Sequence, residues 1–114
     1  MSKTLKKFAP QLRYLNKVNN KLRIKWLKKN CNKDFVNCVC ECVKNILKGN
    51  VPLSDRQTKE LKRRKLTLRK IIRKKLSLQN KRKIIQKGGF LGAIIPPIIS
   101  VLGGLLGSVF GRKN

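Results

Sequence analysis

Histidine is absent from this chain of 114 residues, and only four residues are acidic: Asp34, Glu41, Asp55 and Glu60. These acids form no recognisable catalytic pair, and the serines stand outside any nucleophile motif. General acid–base catalysis needs a group whose pKa can be brought near neutral pH, and such groups are scarce here. The sequence therefore predicts a protein that is not an enzyme and needs no cofactor, with a lysine or cysteine nucleophile as the catalytic option left open.

A secretory signal is also missing from the start of the sequence. Residues 1–7 are basic, but Pro10, Gln11 and Arg13 interrupt residues 8–14, so no apolar run follows. We therefore expect synthesis in a reducing compartment, where cysteines are read as thiols or metal ligands before disulfides.

The four cysteines are close together, with the spacing C-x6-C-x-C-x-C from Cys31 to Cys42. Structural zinc sites usually draw their ligands from two separated pairs, and this spacing does not match that pattern. On a helix, Cys38 and Cys42 share a face while Cys40 points away from it. The pattern favours small buried thiols at Cys38 and Cys42; the alternatives are a metal site and a disulfide formed after assembly.

Positive charge is what the chain has in excess. Thirty Lys and Arg residues face the four acids, which gives a net charge of +26. Charge of one sign at this density destabilises a compact monomer, so we expect a polyanionic partner. Duplex DNA carries one negative charge per roughly 1.7 Å, so one copy of the chain matches on the order of a dozen base pairs. An anionic membrane is the competing partner.

Apolar periodicity predicts an all-α fold: a small basic bundle of three to four short helices, followed by an apolar Gly/Pro-rich C-terminal tail. We expect three segments: an N-terminal helical pair with a cysteine-containing core helix (1–52), a highly basic helical segment (53–87) and the apolar tail (88–114).

Local signals set the expected helix boundaries. The first helix should run from about Pro10 to Lys29, with Pro10 in its first turn and Asn19 as a polar position on its apolar face. The second should begin at Asp34 as N-cap and end before Gly49.

The basic segment is expected to begin with a capping box formed by Ser54 and Gln57. Its long helix should present an apolar stripe made of Leu61, Leu68, Ile72 and Leu76. Ser77 should then cap a short helix that reaches about Lys87.

The densest cationic stretch is the candidate nucleic-acid-binding site. Lysine and arginine contacts to phosphate give affinity without sequence information. The six aromatic residues lie outside this stretch, which disfavours stacking on single strands. A solvated helix face and a nuclear-import signal are the alternatives. The candidate residues are Lys59, Lys62, Arg63, Arg64, Lys65, Arg69, Lys70, Arg73, Lys74, Lys75, Lys81, Arg82, Lys83 and Lys87.

The tail from Gly88 to Gly111 has 24 residues without a charge, which is long enough for a membrane span. Pro96-Pro97 should break a helix there, and seven glycines weaken helix propensity further. Three interpretations stay open: a bilayer-interacting or membrane-disrupting segment, an apolar element buried in a protein assembly, and a transmembrane anchor. The candidate membrane-interacting residues are Phe90, Leu91, Ile94, Ile95, Ile98, Ile99, Val101, Leu102, Leu105, Leu106, Val109 and Phe110.

A basic block, a Gly-Gly pair and an apolar run with proline and small residues stand together in "QKGGFLGAIIPPIISVLGGLLGSVF". This arrangement resembles the precursor of the adenovirus core protein mu, also called protein X. The resemblance implies a DNA-condensing part, an apolar C-terminal part and a viral cysteine protease that cuts after the glycines, between Gly89 and Phe90. Gln86 stands where that family's recognition pattern prefers Met, Ile or Leu. The alternative is that Gly88-Gly89 only ends the preceding helix.

The front of the chain, "NCVCECVKNILKGNVPLS", is similar to small proteins of adenovirus-like mobile elements, the Polinton or Maverick group and adintoviruses. Together these resemblances imply a component of the virion core that also occurs in the host nucleus. The implied partners are double-stranded DNA, capsid proteins, a viral cysteine protease and membranes, and the oligomeric state is left open.

The sequence therefore supports one leading hypothesis and two alternatives. The leading hypothesis is a viral core protein that binds and condenses double-stranded DNA without sequence specificity. The first alternative is a membrane-active protein, viroporin-like or lytic, whose basic region binds anionic lipid. The second is a cellular nuclear-matrix or histone-like protein.

Overall fold

Helices account for the regular structure of this computed structural model, which describes the backbone of residues 3–87 and 89–113 and the side chains of residues 3–87 and 89–102. No strand occurs within those ranges, so the all-α class is confirmed there. The helices number seven over the same residues, more than the three to four expected. They are α1 (Lys3–Lys17), α2 (Asn20–Asn30), α3 (Lys33–Leu47), α4 (Asp55–Arg63), α5 (Lys65–Ile71), α6 (Leu78–Gln86) and α7 (Phe90–Lys113).

The first predicted helix is two helices in the structure. α1 begins at Lys3, so Pro10 lies inside it and not in its first turn. The buried side chains of Leu5 and Phe8 hold the turns before the proline against the core. The predicted single helix is divided near Asn19, because the Asn19 side chain accepts a hydrogen bond from the Leu22 amide (2.9 Å) and caps a new helix, α2. The break changes the helical phase, and Leu22 after it is 42% exposed.

Helix α3 lies at the centre of the fold and contacts α1, α5, α6 and α7. Its N-cap is Asn32, whose side chain accepts a hydrogen bond from the Phe35 amide (2.9 Å), so the prediction of Asp34 as the cap is wrong by two residues. Gly49 follows the helix with a φ of 77°, as expected for a residue just beyond a C-terminus. The Phe35 ring packs edge-on against two others, those of Phe8 (5.7 Å between centroids) and Trp26 (5.0 Å).

The basic segment forms three helices. The predicted capping box is present: Ser54 and Gln57 each accept a hydrogen bond from the other's backbone amide. The long helix expected after it is interrupted at Arg64 and ends at Ile71. Ser77 caps α6 as predicted by accepting from the Asn80 amide (3.2 Å).

The apolar stripe of this segment is only partly as predicted. Leu61 and Leu68 are buried, and Ile71 is buried in place of Ile72, which is half-buried together with Leu76. The early end of α5 is the reason: the helix stops at Ile71, so Ile72 and Leu76 no longer continue the helical face of Leu68, while α5 packs against α3.

Helix α7 is continuous through Pro96 and Pro97, so the predicted break at these prolines is wrong. The two missing N–H groups cost hydrogen bonds within the helix, but the surrounding side chains are buried and hold the helix in place. The helix contacts α1, α3, α4 and α6. Elements from all three predicted segments therefore share one core, and the functional division at residues 52 and 87 stays a prediction.

Candidate nucleic-acid interface

The predicted DNA-binding side chains lie on the outside of α4, α5 and α6 and on the segments that join them. Eleven of the fourteen are exposed, and Arg64, Lys81 and Arg82 are half-buried. The local cause is that these short helices turn most of their apolar residues inward, although Leu66 is exposed, and that more than half of their polar positions are cations. No charged residue belongs to the core among the described side chains.

Acidic neighbours neutralise little of this surface. Residues 3–87 carry 28 of the 30 cations and all four acids. Glu60 accepts from Arg64 at 3.1 Å and lies 3.6 Å from the Arg63 guanidinium. Lys7 and Asp34, both largely exposed, are 3.8 Å apart. Exposed ion pairs of this kind contribute about 0–1 kcal/mol, so the field of the surface stays strongly positive.

Two clefts bring cations from different helices together. Arg64, Lys70 and Lys87 line a cleft of about 220 Å³ beside the start of α7. Lys28 and Lys29 of α2 meet Arg82 of α6 around a second cleft of about 290 Å³. The sequence prediction did not include Lys28 and Lys29, because only the packing of α2 against α6 brings them next to the basic segment.

Two arginines hold the first turns of α7. The Arg64 guanidinium lies over Gly89, where its Nη2 atom is 3.1 Å from the position that a β-carbon would take. Arg23 lies in the same way over Gly92 at 3.0 Å, and its Nε atom donates to the Leu15 carbonyl (2.7 Å). The two glycines therefore leave the space that these guanidinium groups occupy.

All four cysteines are buried free thiols, so the prediction for Cys38 and Cys42 is confirmed, and Cys40 is buried as well although it lies on another face of α3. Cys40 is covered because α5 packs on its side of α3, and its Sγ donates to the Ile71 carbonyl (3.6 Å). No group of three or more His, Cys, Asp or Glu side chains could hold a metal ion within the described residues.

The surroundings of Cys42 and Cys31 favour the protonated form of these two thiols. A hydrogen bond with the Cys38 thiol, together with burial, raises the pKa of Cys42 well above its ordinary value of 9.0. Burial raises the pKa of Cys31, against a smaller opposite effect of Arg82. Because the thiolate is the reactive form, these side chains are poor nucleophiles near neutral pH.

The suggested processing site lies where α7 begins. Gly88 is outside the described residues, Gly89 has a φ of 88°, and the Phe90 side chain is only 2% exposed. The Phe90 amide donates to the Lys87 carbonyl (3.4 Å), and the Ala93 amide donates to the Gly89 carbonyl (3.2 Å). Cleavage between Gly89 and Phe90 stays a prediction, and in this fold it requires the first turn of α7 to open.

The candidate membrane-interacting residues divide into three groups. Ile99 and Val101 are half-buried against the core. Leu105, Leu106, Val109 and Phe110 lie outside the described side chains. The remaining six are buried in the core: Phe90, Leu91, Ile94, Ile95, Ile98 and Leu102.

A search of the described residues for membrane spans finds no single helix that is long and apolar enough. Leu78–Gln86 and Phe90–Leu102 satisfy the length and composition criteria only as a pair, which is bent by 88°.

Comparison of the chain with protein-family models, with curated proteins and with solved structures found no match.

Proposed function

We propose that this protein binds and condenses double-stranded DNA without sequence specificity, as a core component of an adenovirus-like virus or mobile element. One observation carries the proposal: 28 cations and only four acids surround a small apolar core that contains no charged residue. A compact protein with this surface repels itself, and a polyanion relieves that repulsion.

The contacts available are of the kind that positions a protein on phosphate without reading bases. Lys62, Arg69 and Arg73 are exposed on or next to α4 and α5. Both ammonium and guanidinium groups donate to phosphate oxygens, and such contacts carry no sequence information. Because the few aromatic residues near the interface are buried, as Phe90 is, stacking on unpaired bases is not supported.

A small module buries about 600–1,000 Å² of its surface on DNA. The chain exposes 7563 Å² and carries a net charge of +26, so an average patch of that size holds about three positive charges. The basic segment is denser than average, and we expect about four to six phosphate contacts per copy. Affinity should then fall by a factor of about 150 to 2,000 between 50 and 200 mM salt.

Charge removal on two faces of the protein tests this proposal. The variant Lys62→Gln/Arg69→Gln/Arg73→Gln removes three exposed charges from the basic segment, and Lys6→Gln/Arg13→Gln/Lys17→Gln removes three from α1 with the same spacing. Duplex affinity is measured by fluorescence anisotropy at fixed salt. We expect a loss of about 10–100-fold for the first variant and less than about threefold for the second.

The outcome shows whether the location of the DNA-binding surface is wrong or DNA binding itself is wrong. Equal losses for both variants would mean that DNA is bound by the whole surface and not by α4 and α5. A wild-type protein without measurable duplex affinity at low salt would overturn the function itself.

The viral origin is a separate part of the proposal, and it rests on the resemblance around Gly88-Gly89 and in the α3 region. The genes next to this one test it. We expect a capsid gene, a protein-primed polymerase and an adenain-like protease in the neighbourhood. A neighbourhood of unrelated cellular genes would favour a nuclear-matrix or histone-like protein instead.

A further inference from the structure

Four lysines surround a concave surface that lies only partly within the stretch that the sequence singled out: Lys74 and Lys81 belong to that stretch, and Lys44 and Lys48 do not. A cleft of about 430 Å³ opens between α3, the start of α6 and the segment that joins α5 to α6. Lys44 comes from α3, Lys48 directly follows that helix as its C-cap, Lys74 comes from the joining segment and Lys81 from α6. We call these residues the four-lysine cleft.

Apart from Cys40 and Ile72, the remaining residues that line the cleft are polar, and they contribute little negative charge. Asn37, Asn45 and Thr4 line it together with Glu41, the one acid among the lining residues. The Asn45 side chain is held at the rim, because its amide nitrogen donates to the Glu41 carbonyl (3.0 Å) and its oxygen accepts from Asn50 (3.2 Å). Four ammonium groups therefore face one carboxylate.

Two of the lysines lie near the Cys40 thiol, which also lines the cleft. Cys40 has 8% of its surface exposed. Burial raises the pKa of its thiol, and the charges of Lys81 and Lys44 oppose that effect. Lys44 of α3 and Lys81 of α6 therefore line the same cleft as this thiol, although they belong to different helices. Two like charges held near each other favour an anion between them.

We propose that the four-lysine cleft binds phosphate groups, and that its ligand is the phosphodiester backbone of double-stranded DNA. This proposal rests on the proposed function and assigns a specific place on the surface to part of it. Lysines meet phosphate as point charges with rotatable donors and without a required orientation, which suits a contact that is independent of sequence. A water molecule takes about 30 Å³ in the liquid, so the cleft of about 430 Å³ has the volume of roughly fourteen waters, which is enough for a phosphate group with part of its hydration.

The full-length protein can be tested directly. Inorganic pyrophosphate is titrated into ¹⁵N-labelled protein, and backbone amide shifts are followed by NMR. We expect the largest changes at Cys40, Lys44, Asn45 and Lys81. In parallel, duplex affinity is compared between Lys44→Gln/Lys81→Gln and the control Lys17→Gln/Lys21→Gln, which removes two charges at the junction of α1 and α2. The cleft variant should lose about tenfold or more in affinity, and its salt slope should fall by about two.

The results show separately whether the cleft proposal fails and whether the proposed function fails. If wild-type protein binds duplex DNA but the two double variants lose affinity equally and pyrophosphate shifts no cleft residue, the cleft proposal is overturned and the function stands. If pyrophosphate shifts the cleft residues but no duplex binds, the cleft is a site for free phosphates and the DNA ligand is wrong. Thermal melting shows whether the variants fold; we expect equal or higher melting temperatures because repulsion is reduced.

Discussion

Replacing Ile98 by alanine tests whether the apolar C-terminal segment belongs to the core. Ile98 is fully buried in α7, which packs against α1, α3, α4 and α6. Truncating a buried isoleucine removes its transfer free energy and leaves a cavity, at a combined cost of about 2–5 kcal/mol. Small domains have a total stability of about 5–15 kcal/mol, so a large part of the stability of this fold depends on this one side chain.

Urea unfolding followed by circular dichroism measures the loss. Salt at about 0.5 M shortens the Debye length to a few Å and limits the self-repulsion of the cations. With an m-value of about 1.5 kcal/mol per M, a loss of 3 kcal/mol lowers the unfolding midpoint by about 2 M. Ile99→Ala is the matched control: the same substitution at the next, half-buried position should cost about 1 kcal/mol.

Small and equal shifts of the unfolding midpoint for Ile98→Ala and Ile99→Ala would refute the reasoning. They would mean that residues 90–102 do not pack into the bundle in solution. The segment would then be free to meet a membrane, and the alternative of a membrane-active protein would gain support over a buried element.

Three further predictions concern helix ends and thiols. Gly49→Ala places a β-carbon at a φ of 77° and should cost about 1–2 kcal/mol, whereas Gly49→Asn should cost clearly less because Asn tolerates this region; equal losses in thermal melting would contradict the backbone argument. Ser54→Ala removes the capping box and should cost about 1 kcal/mol in urea unfolding, and Ser54→Asp should restore most of it; an unchanged midpoint for Ser54→Ala would show that α4 does not depend on its cap. The pKa of Cys42 is raised in the fold, so its thiol contributes to the free energy of unfolding. This contribution is complete below the ordinary pKa of 9.0 and is lost as pH rises towards the folded-state pKa. Cys42→Ala should flatten this alkaline loss in melting temperatures, and an unaltered slope would exclude the thiol as its cause.

Helix ends were the part of the fold that the sequence predicted best. The capping box at Ser54, the cap at Ser77 and the left-handed glycine at Gly49 all depend on hydrogen bonds or backbone angles within four residues. Such short-range signals can be read before any packing is known. Pro10 was misjudged because the burial of Leu5 and Phe8, which keeps the helix intact around it, depends on distant elements.

Tertiary packing determines which side chains are buried and which distant residues meet, and the sequence pattern alone did not predict these features. Cys40 points away from Cys38 on an isolated helix, yet it is buried because α5 covers that side of α3. The glycines and prolines of the C-terminal segment suggested a separate tail, whereas its first half is a core helix. The same packing places Lys44 and Lys81, which are 37 residues apart in the sequence, around one cleft. Charge density along the chain predicts a polyanionic partner but not the concave sites on the surface.

The salt dependence of duplex binding tests the central claim most directly. Affinity is measured for two duplexes of equal length and unrelated sequence, at several salt concentrations between about 50 and 200 mM. We predict equal affinities within about threefold and a slope of log K against log salt between about −3.6 and −5.4, as expected for four to six phosphate contacts. Selective binding to one duplex that survives high salt, or no binding to either at low salt, would contradict the account.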